Sequence, residues 1–468
     1  DAAMLKPATD YWRHVTGDLR IPGAKDELTA EQAILPWLAH DAIVHLTVPH
    51  GLEQYTGAAW GTRDVCQGPL EFMLALRHDA TAREILTTLF AEQYRTRGDW
   101  PQWFMLPPYS NIRAGDAHGD IVVWPLKALC DYVEATGDLG ILDEPLPWRR
   151  DDNLEPTAEV GPIREHAALL LQTVRDRFVP GTHLIRYGHG DWNDSLQPAD
   201  PHLNDWMVSS WTVALLYEQI RRYAAILRRV GDAGEASALD GLAGAMRDEV
   251  NRHLIRDGVI AGYGVFAPDD DRVELLLHPS DRRTGLSYSL IPMTQAVIGG
   301  LFTPEQTRRH LELIEQHLLF PDGARLMDRP VAYRGGVETL FRRAESAAFF
   351  GREIGLMYVH AHIRYCEALA ASGDVDGARA ALAFINPIAV TDLLPQAALR
   401  QRNTYFSSSD AAYCDRYQAS AEWSRVRDAS IAADGGWRIY SSGPGIYTQL
   451  FVGRILGQRR LHGVETTT

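Results

Sequence analysis

Three glycine–aspartate pairs, each at the end of a helix-like pattern, constrain the fold of this 468-residue chain more than any other feature. Before each pair, apolar residues recur at positions i, i+3, i+4 and i+7, which indicates an amphipathic helix. Glycine readily takes the left-handed conformation after a helix, and aspartate can cap the helix that follows. The pattern therefore predicts tight helix–helix turns at Gly137-Asp138, Gly231-Asp232 and Gly373-Asp374.

The same helical spacing continues through most of the chain, in about a dozen segments. Alternation typical of strands is confined to short pieces such as 259–266. No long linker divides the sequence, and no fixed period supports an α-solenoid, the alternative helical architecture. We therefore predict an all-α chain forming a single domain over residues 1–468: an (α/α)6 barrel with minor β-strand pieces and long active-site loops at one end.

Composition argues against several functional classes. The net charge is −15 and no Lys/Arg tract is present, which predicts no nucleic-acid partner. No apolar run reaches the roughly 18 residues that span a bilayer, so no membrane partner is expected. There is no signal-like start, and a cytoplasmic location is predicted. The scattered cysteines lack zinc-ligand spacing, so we predict reduced thiols and no metal, with a disulfide pair as the alternative: Cys66, Cys130, Cys366 and Cys414.

Trp, His, Asp and Arg concentrate in loops that precede helical segments. These loops cover residues 57–69, 188–195, 333–355 and 434–447. Loops at helix starts, spread through the whole chain, are what one cleft at the end of a helical barrel requires. We expect their functional side chains to converge there.

The loop at 188–195 reads GHGDWNDS and places Trp192 between two carboxylates. A loop tryptophan without apolar periodicity is often a surface anchor or a plug over the core. The other interpretation is a sugar site, in which the indole stacks on a pyranose and a carboxyl protonates the glycosidic oxygen. On so tight a turn, Asp191 is predicted to hydrogen-bond the loop backbone and Asp194 to face the cleft.

Five motifs, in order along nearly the whole chain, resemble those of the inverting disaccharide phosphorylases. That family includes cellobiose phosphorylase, chitobiose phosphorylase and the related domain of cyclic β-1,2-glucan synthases. GDWND is the most specific string, and the others gain weight from their order. The motifs are WGTRD (60–64), HGDIVVWPLKALCDYVEATGD (118–138), GHGDWNDS (188–195), REIGLMYVHAH (352–362) and YSSGPGIY (440–447).

The resemblance implies a role for each matching residue. The general acid, which needs a carboxyl kept partly neutral, would be Asp194. The residues around the sugar would be Arg63, Asp64, Trp192 and, toward the acceptor, Glu353. The phosphate contacts would be His360, Ser442 and Gly443, at a helix start suited to an anion. No cofactor is implied; inorganic phosphate is the co-substrate.

Some of these residues have structural alternatives. An Arg-Asp pair such as Arg63 and Asp64 is also a common buried ion pair. His360 alone, on an apolar helix, would be interpreted as a core histidine; the motif around it favours the phosphate role.

The chain also departs from the family pattern. Ala58 stands where the family has a phosphate-binding arginine, a contact typically worth a few kcal/mol. Arg352 or Arg334 are candidate substitutes. Three further differences are a serine for threonine, a glycine for aspartate and an isoleucine for asparagine, at Ser442, Gly68 and Ile354. The family's N-terminal β-sandwich has no counterpart, so we expect the catalytic barrel alone or part of a longer chain.

The predicted function is inverting phosphorolysis of a β-linked gluco-disaccharide or oligosaccharide, giving an α-sugar 1-phosphate. An inverting β-glucan hydrolase is one alternative, and it needs a second carboxylate roughly 6.5–9.5 Å from the acid. Loop placement makes four candidates: Glu338, Glu345, Glu353 and Asp410. A non-catalytic glycan-binding domain of a larger glucan synthase is the other alternative, although such a module has no use for Asp194. A homodimer is the remaining assembly expectation.

Overall fold

The computed structural model describes most of the chain and is mainly helical. The described residues are 2–17, 19, 29–47, 60–268, 270–348, 354, 357–388, 390–397, 408–409, 411–433 and 442–467. Their α-helices are α1 (Ala2–Thr16), α2 (Ala30–Thr47), α3 (Thr62–Gln67), α4 (Pro69–Ala75), α5 (Asp79–Phe90), α6 (Trp124–Thr136), α7 (Ile163–Asp176), α8 (His202–Trp206), α9 (Ser210–Arg229), α10 (Ala233–Glu249), α11 (Leu290–Ile298), α12 (Pro304–Leu313), α13 (Arg342–Ser346), α14 (Val359–Ala371), α15 (Val375–Leu382), α16 (Val390–Leu393), α17 (Arg416–Ala421), α18 (Ser424–Arg427) and α19 (Gly443–Leu450). The prediction of a mainly helical chain is confirmed.

The strands are short, and the named ones pair antiparallel in two- or three-stranded sheets. They are β1 (Trp60–Gly61), β2 (Trp103–Phe104), β3 (Pro145–Arg149), β4 (Pro156–Pro162), β5 (Met207–Ser209), β6 (Ile255–Arg256), β7 (Val259–Ile260), β8 (Tyr263–Ala267), β9 (Asp270–Leu276), β10 (Leu319–Phe320), β11 (Gly323–Ala324), β12 (Met357–Tyr358), β13 (Ser408–Ser409), β14 (Gln458–Leu461) and β15 (Val464–Thr467). The predicted strand piece at 259–266 corresponds to β7 and β8.

Six helices form a closed ring of contacts, in which each packs against the next and the last packs against the first. In order they are α4, α6, α9, α11, α14 and α19, called here the six-helix ring. Together they line a cavity of about 470 Å³. A second set of helices packs against this ring or the turn that leads into it: α2, α5, α7, α10, α12 and α15. The pairing of consecutive helices agrees with the sequence pattern.

The three glycine–aspartate turns differ in outcome. Gly137, Gly231 and Gly373 all have positive φ, as predicted. Asp232 and Asp374 cap α10 and α15 by accepting hydrogen bonds from backbone N–H groups. The predicted helix–helix turn at Gly137-Asp138 is wrong, because the β3–β4 hairpin lies between α6 and α7. Asp138 accepts a hydrogen bond from the Tyr132 hydroxyl instead of capping a helix.

The main hydrophobic core lies between the helix layers, and a second core joins α14, α15 and α19. All four cysteines are free thiols; three of them are buried and Cys414 is exposed. None of the helices in the described ranges combines the length and apolarity needed to cross a membrane.

Candidate active site

The candidate site is built from helix starts. Arg63 and Asp64 lie in the first turn of α3, and His360 lies in the first turn of α14. Ser442 precedes α19, and Asp194 begins a 3-10 turn, Asp194–Leu196. Helix N-termini carry partial positive charge and free N–H groups, so they suit anionic ligands.

Asp191 holds the loop that carries the acid candidate. Its side chain is fully buried. It accepts hydrogen bonds from the Asn193 backbone N–H at 2.8 Å, from the Ser209 hydroxyl at 2.6 Å and from the Tyr187 hydroxyl at 3.5 Å. Ser209 also caps α9, so the carboxylate ties the loop to a ring helix. The predicted hydrogen bond between Asp191 and its own loop backbone is confirmed.

The buried environment changes how Asp191 titrates. Burial, reinforced by the nearby carboxylate of Asp120, raises the pKa of Asp191 to about 7. The hydrogen bonds from Ser209 and Asn193 oppose this shift. Desolvation therefore outweighs hydrogen bonding at this carboxyl.

Asp194, in contrast, is accessible. Its side chain keeps 32% of its surface exposed. One oxygen, Oδ1, lies 3.4 Å from Arg63 Nη1 and 3.4 Å from His118 Nδ1. A carboxyl with one oxygen anchored and part of its surface open is arranged to meet a ligand.

Arg63 connects the parts of this site. Its guanidinium is buried and forms an ion pair with Asp120, with Nε 3.1 Å from Oδ2. It also donates to the backbone carbonyls of Asp191 and Trp192, at 3.2 and 3.4 Å. Burial acts against its charge, yet Asp120 and Asp194 outweigh that effect and keep the pKa of Arg63 above its ordinary value. Arg63 therefore takes part in buried ion pairing, as the structural alternative for this residue holds, and its partners include two aspartates distant in sequence, Asp120 and Asp194.

Trp192 lies between the acid loop and the phosphate candidates. Its ring is 5.2 Å from the Tyr358 ring, edge-on, and 6.2 Å from the His360 ring. It is partly buried and packs against the main core. Trp192 therefore packs over the core, and it lies in the same loop as the acid candidate; its stacking on a sugar stays a prediction.

The three phosphate candidates lie together. The Ser442 hydroxyl donates to Asp64 Oδ1 at 3.1 Å and lies 3.3 Å from His360 Nε2. Gly443, the next residue, is the first of α19. The structure therefore brings Asp64 and His360 to the start of the helix expected to receive the anion.

A close backbone approach explains one departure from the family pattern. A Cβ at Gly68 would lie 2.5 Å from the Cα of Ser442, and a Cβ at Gly445 would lie 1.7 Å from the Gly68 carbonyl oxygen. No side chain fits at either position without moving backbone. The glycine at position 68 thus allows α19 to dock beside Asp64.

Four of the positions singled out in the sequence lie outside the described residues: Glu353, Arg352, Ala58 and Asp410. Arg334 lies near Glu345, with Nε 3.5 Å from Oε2 and a half-exposed side chain.

The two described candidates for a hydrolytic base are engaged in their own loop. Glu345 is buried and accepts hydrogen bonds from the backbone N–H groups of Thr339, Leu340 and Phe341. Glu338 is exposed and accepts from the Ser346 hydroxyl at 2.8 Å. Glu345 therefore organises loop 331–348.

Sequence reasoning missed Asp120, His118 and Gln197. Asp120 is fully buried and accepts from Trp124 Nε1 at 2.8 Å as well as pairing with Arg63. Asp120 and His118 lie inside the second matching motif, which could have marked them. In the part of the chain that the structure describes, no group of three or more His, Cys, Asp or Glu side chains could hold a metal ion.

Comparison with known families decides the affiliation. The family model described as "Glycosyl hydrolase 94 superfamily, catalytic domain" matches residues 54–415, which include Arg63, Asp194 and His360. The chain belongs to the glycosyl hydrolase 94 superfamily. The resemblance found in the motifs is thereby confirmed.

Curated relatives of this superfamily are mostly phosphorylases. The chain is 50% identical over 435 residues to 1,2-beta-oligoglucan phosphorylase of Listeria innocua, covering 92% of this chain and 39% of that protein. It is 26% identical over 364 residues to 3-O-beta-D-glucopyranosyl-beta-D-glucuronide phosphorylase of Paenibacillus borealis, covering 77% and 43%. It is 23% identical to cyclic beta-(1,2)-glucan synthase NdvB of Rhizobium meliloti, covering 98% and 15%. The chain thus spans less than half the length of these relatives.

Solved structures support the fold. A glycosidase in complex with glucose aligns with a TM-score of 0.53 at 14% identity, covering 92% of this chain and all of that one. A rhamnosidase from Klebsiella oxytoca with rhamnose bound aligns with a TM-score of 0.52 at 14% identity, covering 93% and 66%. At this identity the similarity concerns the fold alone.

Proposed function

We propose that the protein catalyses inverting phosphorolysis of a β-linked gluco-oligosaccharide, with Asp194 as the general acid. One observation carries the proposal. The acid candidate and the candidate phosphate residues both lie next to Trp192, which is two residues before Asp194 in the acid loop and 6.2 Å, ring to ring, from His360. A sugar held against the indole would therefore lie close to a proton donor and to a phosphate.

In this mechanism the glucosyl unit rests against Trp192, with Arg63 and Asp64 near its hydroxyls. Phosphate binds at His360, the Ser442 hydroxyl and the Gly443 backbone N–H. A phosphate oxygen forms a bond to the anomeric carbon from the face opposite the leaving sugar. The glycosidic C–O bond breaks, and the leaving oxygen takes the proton of Asp194. The product is an α-sugar 1-phosphate, and one protein carboxylate suffices.

The contact with Arg63 stabilises Asp194 after it has given up its proton. After proton transfer Asp194 is a carboxylate, and a guanidinium 3.4 Å away stabilises that charge. Before transfer, the buried carboxylate of Asp120, 3.1 Å from Nε, offsets the positive charge of Arg63.

The substrate is proposed from the relatives. Because the 50% identical relative is named for 1,2-β-oligoglucans, we propose a β-1,2-linked gluco-oligosaccharide for this chain. We also retain a cytoplasmic location, inorganic phosphate as the sole co-substrate, no cofactor, and Glu353 near the acceptor.

We further propose that the six-helix ring is the inner layer of an (α/α)6 barrel and that residues 1–468 form one domain. The closed sequence of helix contacts and the second set of packed helices support this architecture. Such barrels gather their loops at one end, where the candidate site lies.

The test is to incubate the purified protein with β-1,2-, β-1,3- and β-1,4-gluco-oligosaccharides, with and without phosphate. Sugar 1-phosphate and free reducing ends are measured separately. We expect sugar 1-phosphate from the β-1,2 series only, and only with phosphate present. New reducing ends without phosphate would instead establish the hydrolase. Oligosaccharide binding without any cleavage would establish the glycan-binding module.

A further inference from the structure

A histidine that sequence reasoning did not select lies against the proposed acid. His118 is largely buried, with 11% of its side chain exposed. Its Nδ1 lies 3.4 Å from Asp194 Oδ1 and 3.0 Å from the carbonyl oxygen of Asp191. The opposite ring nitrogen, Nε2, lies 2.9 Å from the side-chain amide nitrogen of Gln197.

The neighbours of this ring differ on its two sides. Nδ1 lies near two acceptors, the Asp191 carbonyl at 3.0 Å and Asp194 Oδ1 at 3.4 Å, and 3.1 Å from Arg63 Nη2, a donor. In the tautomer with its hydrogen on Nδ1, the ring donates toward the acid loop and Nε2 accepts from the Gln197 amide. This tautomer presents a donor to the acid loop from a ring that Gln197 contacts at its other edge.

Gln197 in turn is attached to a second loop. Its backbone carbonyl accepts from the Arg342 N–H at 2.9 Å, and the Ala199 N–H donates to the Leu340 carbonyl at 2.9 Å. Pro198 forms a β-bridge with Phe341. This is loop 331–348, which leads toward the segment of Glu353. The contacts therefore run from that loop through Gln197 and His118 to the acid.

We propose that His118 is a positioning residue, which Gln197 orients and which contacts Oδ1 of Asp194 and so sets the orientation of that carboxyl toward the scissile bond. This inference rests on the proposed function. It assigns to loop 331–348 a link to the acid, through the hydrogen bond between Gln197 and His118 and the 3.4 Å contact between His118 and Asp194.

The charges around the ring agree with a neutral donor. Burial lowers the pKa of His118, and Arg63, with Nη2 3.1 Å from Nδ1, acts in the same direction. Asp194 and Asp120 oppose the shift without reversing it. A neutral ring can orient a carboxyl without adding a second cation beside Arg63. A second cation would hold the acid in its ionised, inactive form.

The test compares leaving groups. His118→Ala should lower kcat on a β-1,2-gluco-oligosaccharide at least about 10-fold, because a misplaced acid transfers its proton poorly. His118→Asn, which retains an N–H donor, should recover most of that loss. With 2,4-dinitrophenyl β-glucoside, whose leaving group needs no proton, His118→Ala should turn over at the wild-type rate. The control His183→Ala alters an exposed histidine outside the acid loop, paired with Glu249, and should leave both rates unchanged.

The pH profile gives a second readout. In His118→Ala the alkaline limb of kcat/KM should move to higher pH by about half a unit or more, because the carboxylate form loses a donor. Gln197→Leu should reproduce both effects more weakly.

Failures of the two proposals are distinguishable. If the wild-type protein forms no sugar 1-phosphate, the proposed function fails and the role of His118 with it. If the wild type is active and His118→Ala slows both substrates equally with an unmoved alkaline limb, only the positioning role is overturned.

Discussion

The two ends of the six-helix ring differ in what their polar groups contact. At the end formed by helix starts, side chains from distant parts of the chain meet around an accessible carboxyl, that of Asp194. At the other end, the β14–β15 hairpin closes against helix ends: the N–H groups of His462 and Gly463 donate to the carbonyls of Glu134 and Ala135. Arg460 donates to the Leu74 carbonyl at 2.9 Å. The first end keeps a carboxyl accessible to a ligand, whereas at the second end the hairpin and Arg460 donate hydrogen bonds to backbone carbonyls at the ends of helices.

Between the two ends, the cavity inside the ring is lined by matched charges. Lys127 Nζ lies 2.7 Å from Glu71 Oε1 and 2.5 Å from Asp131 Oδ2, and Arg364 donates to the same Glu71 oxygen at 2.7 Å. Arg222 bonds the other oxygen of Asp131 at 2.7 Å. Charges inside the ring therefore stabilise one another, whereas at the helix starts some charge remains directed outward. The comparison predicts that substitutions at the first end alter turnover and substitutions inside the ring alter stability.

The largest effect is expected at the acid. Asp194→Asn keeps the shape of the side chain and removes the proton donor, so turnover should fall by about 10²- to 10⁴-fold. The melting temperature and oligosaccharide affinity should stay near wild type, since the residue is one-third exposed. Asp205→Asn, at an exposed aspartate paired with Arg186, is the matched control. Near-normal turnover of Asp194→Asn would remove the mechanism.

A substitution inside the ring should lower the free energy of unfolding rather than turnover. Lys127→Met leaves Glu71 and Asp131 without their shared cation, so the free energy of unfolding should fall by about 3–5 kcal/mol. Urea denaturation measures the loss. The kcat of the folded fraction should change less than threefold; a larger drop would show that the ring interior and the site are coupled.

Asp191 links stability to pH. Its pKa is about 7 in the folded protein and near 4 when unfolded, so the folded state gains from its proton at low pH. That contribution is complete below about pH 4 and is lost as the pH rises through 7, by up to about 1.4 kcal/mol per pH unit. Asp191→Asn abolishes this titration. Urea denaturation between pH 5 and 8 should therefore show a flatter pH dependence for the variant, and parallel curves would contradict the assignment.

The smallest effect is expected at the closing hairpin. Arg460→Gln loses two hydrogen bonds to Asp79 and weakens the contact with the Leu74 carbonyl. Because Asp79 is part-exposed, we expect a loss of about 1 kcal/mol and unchanged kcat and KM. Thermal denaturation with steady-state kinetics checks both. A kinetic effect here would break the distinction between the two ends.

Motif order predicted much of the site, because the chemistry needs particular residue types at fixed spacing. Arg63, Asp64, Trp192, Asp194 and His360 were all selected from strings, and the structure brings them together. Their individual roles stay predictions.

His118 and Gln197 could not be selected in the same way. Their positions follow from how two loops pair, and no spacing rule in the sequence encodes that pairing.

The fold shows the same division. Apolar periodicity and left-handed glycines predicted the helices and two of the three turns. The third turn failed because the β3–β4 hairpin, whose strands contain prolines, gave no alternating pattern. Lys127 and Asp131, four residues apart, have the spacing of an exposed helical ion pair, yet they face the cavity. Only the closure of the ring makes that face internal.

The hydrogen bond between Ser442 and Asp64 has a consequence for the order of folding. It joins residues 378 positions apart, and the glycines beside it let the two backbones touch. The entropy of closing so long a segment must be overcome before the contact forms, so local helix pairs precede it. The loop of Asp194 can fold early from nearby residues, but Ser442 meets Asp64 only after α19 docks against α3 and α4. In the proposed mechanism, a nascent chain would therefore acquire its proton donor before it could hold the nucleophile.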